Sequence, residues 1–92
     1  MNDQYSAAQE LAGRRVLVTG AGGFIGRTLC ELLLSGGAEV HGTQRQHACR
    51  AGVVPHALDL RDAQAWAQCF RDVSPEVVFH LASPIDLRRD PA

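Results

Sequence analysis

The densest chemical signal in this chain is Gly20-Ala21-Gly22-Gly23-Phe24-Ile25-Gly26, which follows directly on the apolar run Val16-Leu17-Val18-Thr19. Glycines at 20, 23 and 26 give a Gly-x-x-Gly-x-x-Gly spacing, and Gly20, Gly22, Gly23 and Gly26 also partly match Gly-x-Gly-x-x-Gly. Such a run builds an anion cradle: a strand ends, the backbone turns sharply, and a helix begins whose first N–H groups have no intrahelical partner. Gly20 supplies the turn, Gly23 leaves room for a diphosphate, and Gly26 lets the first helical turn lie close to the strand.

A second group of candidates lies downstream. The end of the second strand is where dinucleotide sites discriminate, a carboxylate there binding a ribose 2′-hydroxyl and an arginine accommodating a 2′-phosphate. This chain offers Gln44 and Arg45 with no acidic residue, which favours NADP slightly over NAD, a solvated loop arginine being the competing reading. Arg50 is a weaker candidate for the same role. Arg27 and Glu31, four apart on a helix, fit an exposed ion pair worth roughly 0.2–0.5 kcal/mol. His80, inside an apolar strand, reads as a satisfied core histidine rather than a base. Cys30, Cys49 and Cys69 are odd in number and widely spaced, which points to reduced thiols and to neither a disulfide framework nor a metal site.

The elements that position these groups follow from periodicity. Strands are predicted over residues 16–19, 38–43, 53–58 and 76–82, with Pro55 near the start of the third. Ile25, Leu29, Leu32 and Leu33 recur at helical spacing and define one helix ended by Gly36-Gly37. Ala63, Trp66, Ala67 and Phe70 define a second, capped by Asp62 and closed by Ser74-Pro75. The order β-α-β-β-α-β predicts an α/β fold with a Rossmann-like parallel sheet, its first half in strand order 3-2-1-4 and incomplete. Residues 1–12 read as an amino-terminal arm and 13–92 as a partial dinucleotide-binding domain, with residues 44–52 a polar loop expected to be mobile without ligand.

Thr19-Gly20-Ala21-Gly22-Gly23-Phe24-Ile25-Gly26, Asp59-Leu60-Arg61-Asp62 and Val78-Phe79-His80-Leu81-Ala82 together resemble, in order and spacing, the extended short-chain dehydrogenase/reductases of the NAD-dependent epimerase/dehydratase family. The resemblance covers the amino-terminal portion of such a protein. It implies cofactor contacts at Gly20, Gly23, Phe24, Ile25 and Gly26, an adenine amino group accepted by the Asp59 carboxylate, and a ring contact from the Leu60 amide. It further implies that Leu81, Ala82 and Ser83 line the diphosphate and ribose, Ser83 replacing the more usual alanine or glycine. The family reacts through a Tyr-x-x-x-Lys pair with a Ser or Thr. Here the single tyrosine, Tyr5, has Gln9 four residues on, and all nine basic residues are arginine. The implied function is the NAD(P)-binding part of an epimerase, dehydratase or reductase acting on a nucleotide-sugar or similar hydroxyl or carbonyl substrate. The alternative is a catalytically inert dinucleotide-binding module.

Composition sets the remaining bounds. A chain of 92 residues with net charge −1 carries no electrostatic footprint for nucleic acid or an anionic membrane. Neither a leader nor a membrane-spanning run is visible, so a cytoplasmic small-molecule binder is expected. The fourth strand, apolar and at the sheet edge, is a candidate surface for self-association.

Overall fold

The computed structural model describes residues 9–81. The elements are β1 (Arg15–Thr19), α1 (Phe24–Ser35), β2 (Glu39–Gln44), β3 (Val54–Ala57), α2 (Ala63–Val73) and β4 (Val77–His80). They form one parallel four-stranded sheet in the order β3-β2-β1-β4. This is the predicted order, with each strand boundary within a few residues of its sequence-based position.

β1 is the central strand and is covered on both faces: the apolar Val16, Leu17 and Val18 and the hydroxyl-bearing Thr19 are all fully buried. Alternation along the strand divides them between two layers. Val16 and Val18 meet Cys30 and Leu33 of α1 together with Val40 of β2 and Val53. Leu17 faces the other way, toward Cys69 and Val73 of α2, with Leu58 and Trp66 packed around them.

Both helices are rotated from the faces their periodicity predicts. The buried positions of α1 are Gly26, Cys30 and Leu33, while Ile25 is 68% exposed and Phe24 88%. The cause is Gly26, whose close approach to the end of β1 fixes the inward direction and leaves Ile25 about 100° away around the helix. In α2 the stripe is Trp66, Cys69 and Val73, and Phe70, 44% exposed, makes an edge-on ring contact with Trp66 at 5.8 Å. Asp62 caps α2 as predicted, its Oδ1 accepting from the amides of Gln64 and Ala65 at 3.1 Å each.

β4 is less enclosed than its composition implies. Val77 and Phe79 pack toward the α1 layer, whereas Val78 and His80 are exposed. His80 is satisfied, since its Nδ1 lies 2.9 Å from Thr19 Oγ1, but it is not a core residue. The lower end of the sheet is tied by arginine: Arg15 Nε donates to the carbonyls of Val73 and Ser74 at the end of α2, and Glu76 accepts from the Arg15 amide at 2.9 Å. That backbone hydrogen bond, more than the neighbouring arginine charges, holds the Glu76 carboxyl below its ordinary value.

On the α2 side, His41 of β2 bridges Glu39 Oε2 at 2.7 Å and His56 Nε2 of β3 at 3.0 Å. Burial, and then the proximity of His41, push His56 below its ordinary value of 6.5, with Asp72 of α2 opposing. The folded chain therefore keeps His56 neutral where the unfolded chain protonates it. Its contribution to stability is complete above about pH 6.5 and is lost as pH falls below that value. Urea midpoints measured from about pH 7.5 down to about pH 5 should fall, and His56→Gln should make the decline shallower. An equal slope in both proteins would remove His56 as its source.

Candidate functional site

The glycine run forms a tight bridge from β1 to α1. Gly20 takes a positive φ of 73°, and its carbonyl accepts from the Gly23 amide at 3.1 Å. The turn is also fastened to the end of β2, where Thr43 Oγ1 accepts from the Gly20 amide and the Thr43 carbonyl from the Ala21 amide, each at 3.1 Å. A β-carbon on Gly26 would overlap the Gly20 carbonyl oxygen and stand 2.9 Å from Ala21 Cα. Gly26 is thus glycine for packing.

Gly23 differs. It is the N-cap of α1 in an extended conformation, and an added β-carbon would meet only the Gly20 oxygen, at 3.4 Å. No side chain caps the helix there, and its first turn holds no acidic residue. The exposed amide end of α1 therefore offers positive potential to an anion. Above it opens a crevice of about 640 Å³ at the carboxyl ends of the strands.

The structure brings Gly20, Gly23, Phe24, Ile25 and Gly26 to one wall of that crevice, and Arg45, Asp59, Leu60 and Leu81 to the rest of it. Ala82 and Ser83 lie outside the described residues. Gly22, Thr43, Gln46, His47 and Leu58 also line the space and were not assigned to it from sequence. Gly22 had a signal in the motif itself: a β-carbon there would collide with the His47 carbonyl. Gln46 and His47 had none, because their loop has no period.

That loop carries side-chain ties of its own and to α1. Gln44 Oε1 accepts from the Cys49 amide at 2.9 Å, and Arg27 Nη1 donates to the Ala48 carbonyl at 2.8 Å. Glu31 pairs with Arg50 at 3.1 Å. The predicted Arg27–Glu31 pair is thus replaced by two contacts that staple the loop to α1. They hold Arg50 outside the crevice lining and direct Arg27 to a carbonyl.

Asp59 stands between two guanidinium groups. Its carboxylate takes a forked contact from Arg61, with Nη2 at 2.8 Å and Nε at 3.1 and 3.2 Å, and also accepts from the Arg61 amide at 2.9 Å. Arg45 Nη2 is farther away, 3.6 Å from Oδ2. The Arg61 side-chain and backbone hydrogen bonds hold Asp59 well below the usual carboxylate range, so it acts as an acceptor. The thiols are poor nucleophiles: burial pushes Cys30 up to about 11 and raises Cys49 and Cys69. Among the described residues no group of three His, Cys, Asp or Glu could hold a metal ion.

A parallel sheet in this order, with a glycine bridge opening a crevice at its carboxyl edge, defines a Rossmann-like α/β domain. The profile of the NAD dependent epimerase/dehydratase family matches residues 16–90, and the chain belongs to that family. It is 38% identical over 85 residues to a UDP-glucose 4-epimerase of Mycolicibacterium smegmatis, covering 82% of this chain and 27% of that protein. It is 41% identical over 73 residues to an L-xylulose reductase of Mus musculus, covering 71% and 30%. Among solved structures, a putative epimerase from Burkholderia cenocepacia superposes with a TM-score of 0.70 at 35% identity, covering 79% of this chain and 26% of that one. The UDP-glucose 4-epimerase of Thermotoga maritima, solved with UDP-glucose, gives 0.66 at 27% identity, covering 74% and 24%. The chain thus spans about a quarter to a third of the length of these relatives. Membership implies a nicotinamide dinucleotide as cofactor, and the open, uncapped cradle at Gly23 suits its diphosphate.

The glycine geometry separates packing from binding. Gly22→Ala should destabilise the chain by about 1–3 kcal/mol through overlap with the loop backbone. Gly23→Ser, which adds a favourable N-cap, should stay within roughly 0.5 kcal/mol of the parent or exceed it. Urea denaturation checks both, and equal losses at the two positions would merge the roles assigned to them.

Proposed function

We propose that this chain is the cofactor-binding portion of an epimerase, dehydratase or reductase, taking a nicotinamide dinucleotide in the crevice above Gly23. The observation that carries the reading is Gly23: glycine stands there without a packing need, at an uncapped helix start facing the crevice. Across the crevice Asp59 is held ionised to accept from the adenine amino group, the Leu60 amide meets the ring and Leu81 gives apolar cover, as Phe24 and Ile25 do beside the cradle. Ala82 and Ser83 complete the diphosphate and ribose side in this reading. NADP is favoured slightly over NAD, because Arg45 lies at the end of β2 with no acidic residue where a ribose carboxylate would stand. The three free thiols suit a reducing cytoplasm, and the outer edge of β4 is a surface for self-association. Among the described residues no helix is long and apolar enough to cross a membrane.

Two substitutions test the site. Gly23→Val puts a branched side chain into the cradle and should weaken dinucleotide binding at least about tenfold, the scale of overpacking, with a capping cost to the fold of about 1 kcal/mol or less. Arg45→Ala should weaken NADP more than NAD, by up to ~1.5–3 kcal/mol for a charge-assisted contact and less in an exposed loop. Calorimetry showing unchanged binding for the first variant removes the cradle assignment; equal losses for both dinucleotides in the second return Arg45 to a solvated loop residue.

A bound nicotinamide would supply hydride exchange with a hydroxyl or carbonyl substrate of the nucleotide-sugar type in the complete protein. This chain's own residues bind and orient; they include no Tyr-x-x-x-Lys pair to move the proton. A positioned acid/base contributes about 10²–10⁴ in rate, so the chain alone should bind without turnover. The same observation favours the second reading, an inert binding module. Sequencing the gene past Ala92 separates the two, and nicotinamide absorbance changes catalysed by the purified chain would sink the expectation of binding alone.

A further inference from the structure

We propose that Arg61 sets the crevice's preference for a phosphate-bearing dinucleotide by occupying Asp59, which leaves the Arg45 guanidinium at the end of β2 available to the ligand. The proposal rests on the dinucleotide reading above. A carboxylate offers about four lone-pair directions, and Arg61 supplies three donors to them, its amide, its Nε shared between both oxygens, and its Nη2. This takes up the forked approach that a second guanidinium would need and leaves one direction for the adenine amino group. Arg45 is left with a 3.6 Å approach to Oδ2, longer than a hydrogen bond, and it lines the crevice.

Arg61 does not line it. Its influence must pass through Asp59, which makes it a positioning residue. Without Arg61 the carboxylate has open acceptor sites beside an exposed arginine already on its Oδ2 side, and a forked Asp–Arg pair is the favoured geometry between such groups. Arg45 would turn inward to that carboxylate and be lost to a 2′-phosphate. The loss falls on NADP, since NAD has no 2′-phosphate for Arg45 to meet, while the adenine contact at Asp59 is common to both ligands and leaves their ratio unchanged. The contact is local, between residues two apart, and Asp62 caps α2 independently of it, so removing the Arg61 side chain leaves the fold's ties in place.

The test is a cycle read by calorimetry with NADP and NAD on the intact chain, folding being confirmed by circular dichroism. Arg61→Ala should weaken NADP roughly three- to tenfold, the size of one exposed charge-assisted contact, and change NAD by less than about twofold. Asp59→Asn is expected to weaken both ligands, but within that background adding Arg61→Ala should leave the NADP:NAD ratio unmoved, because no carboxylate remains to capture Arg45. Should the alanine variant fold poorly, Arg61→Gln keeps the stem and is read in the same way. Equal losses for the two ligands overturn the proposal, as does a ratio shift that persists beside Asp59→Asn, which would mean that Arg61 meets the phosphate itself. Binding of neither dinucleotide by the parent chain would defeat the reading of the crevice and this proposal with it; binding with an unmoved ratio defeats this proposal alone.

Discussion

Helix α1 can lie on the end of β1 only because Gly26 has no β-carbon to place against the Gly20 carbonyl, and most of the site follows from that approach. It sets the rotation of the helix, so Cys30 and Leu33, four and seven residues on, point into the core with Gly26. It also sends Phe24 and Ile25 outward, past the strand end, where they flank the crevice instead of filling the interior. The same constraint recurs one strand away. Gly42 of β2 leaves room for the Ala21 side chain, with Val53 Cγ1 3.0 Å from where a Gly42 β-carbon would stand. The turn is thus keyed into the sheet at two glycines, and the helix start has little freedom over the strands.

The facing wall is arranged by charge instead of packing. Exposed ion pairs contribute about 0–1 kcal/mol to stability, so the Asp59 contacts matter for direction more than for holding the chain folded. A guanidinium fork fixes a carboxylate in plane and distance where an ammonium would not, and every basic residue here is arginine. The same device works at the other end of the sheet, where Arg15 joins the start of β1 to the last carbonyls of α2. Its use at Asp59 differs in consequence, since the fork there borders solvent that a ligand can replace.

Sheet order, parallel sense and the glycine bridge were legible because each rests on a local pattern: apolar β-branched runs for strands, glycine spacing for the bridge, Asp62 for the cap. The helix faces were less so. Ile25 and Phe70 satisfy a helical period as well as Gly26 and Cys69 do, but a hydrophobic count gives glycine no weight and treats cysteine as chemistry, although both buried cysteines are packing residues. The loop after β2 was illegible for another reason. Its ties run from Arg27 and Glu31 on α1 to Ala48 and Arg50, and a contact across the fold leaves no periodic trace. Pairing Arg27 with Glu31 obeyed the local rule; tertiary partners displaced a pair worth only a few tenths of a kcal/mol.

Binding and chemistry are separable in this fold. The order reverses at β1, with β2 and β3 laid to one side and β4 to the other, and the crevice opens where the carboxyl ends diverge. Its described wall needs only the β1–α1 bridge, the ends of β2 and β3 and the residue after β4, so the crevice forms from the first strands alone. A proton-transferring group has no equivalent local source, because it must stand at a bond of the substrate, beyond the cofactor. In the reading proposed above, the glycine bridge would hold the cofactor while the reaction is left to residues it does not position. This is why the family can contain epimerases and dehydratases on one cradle.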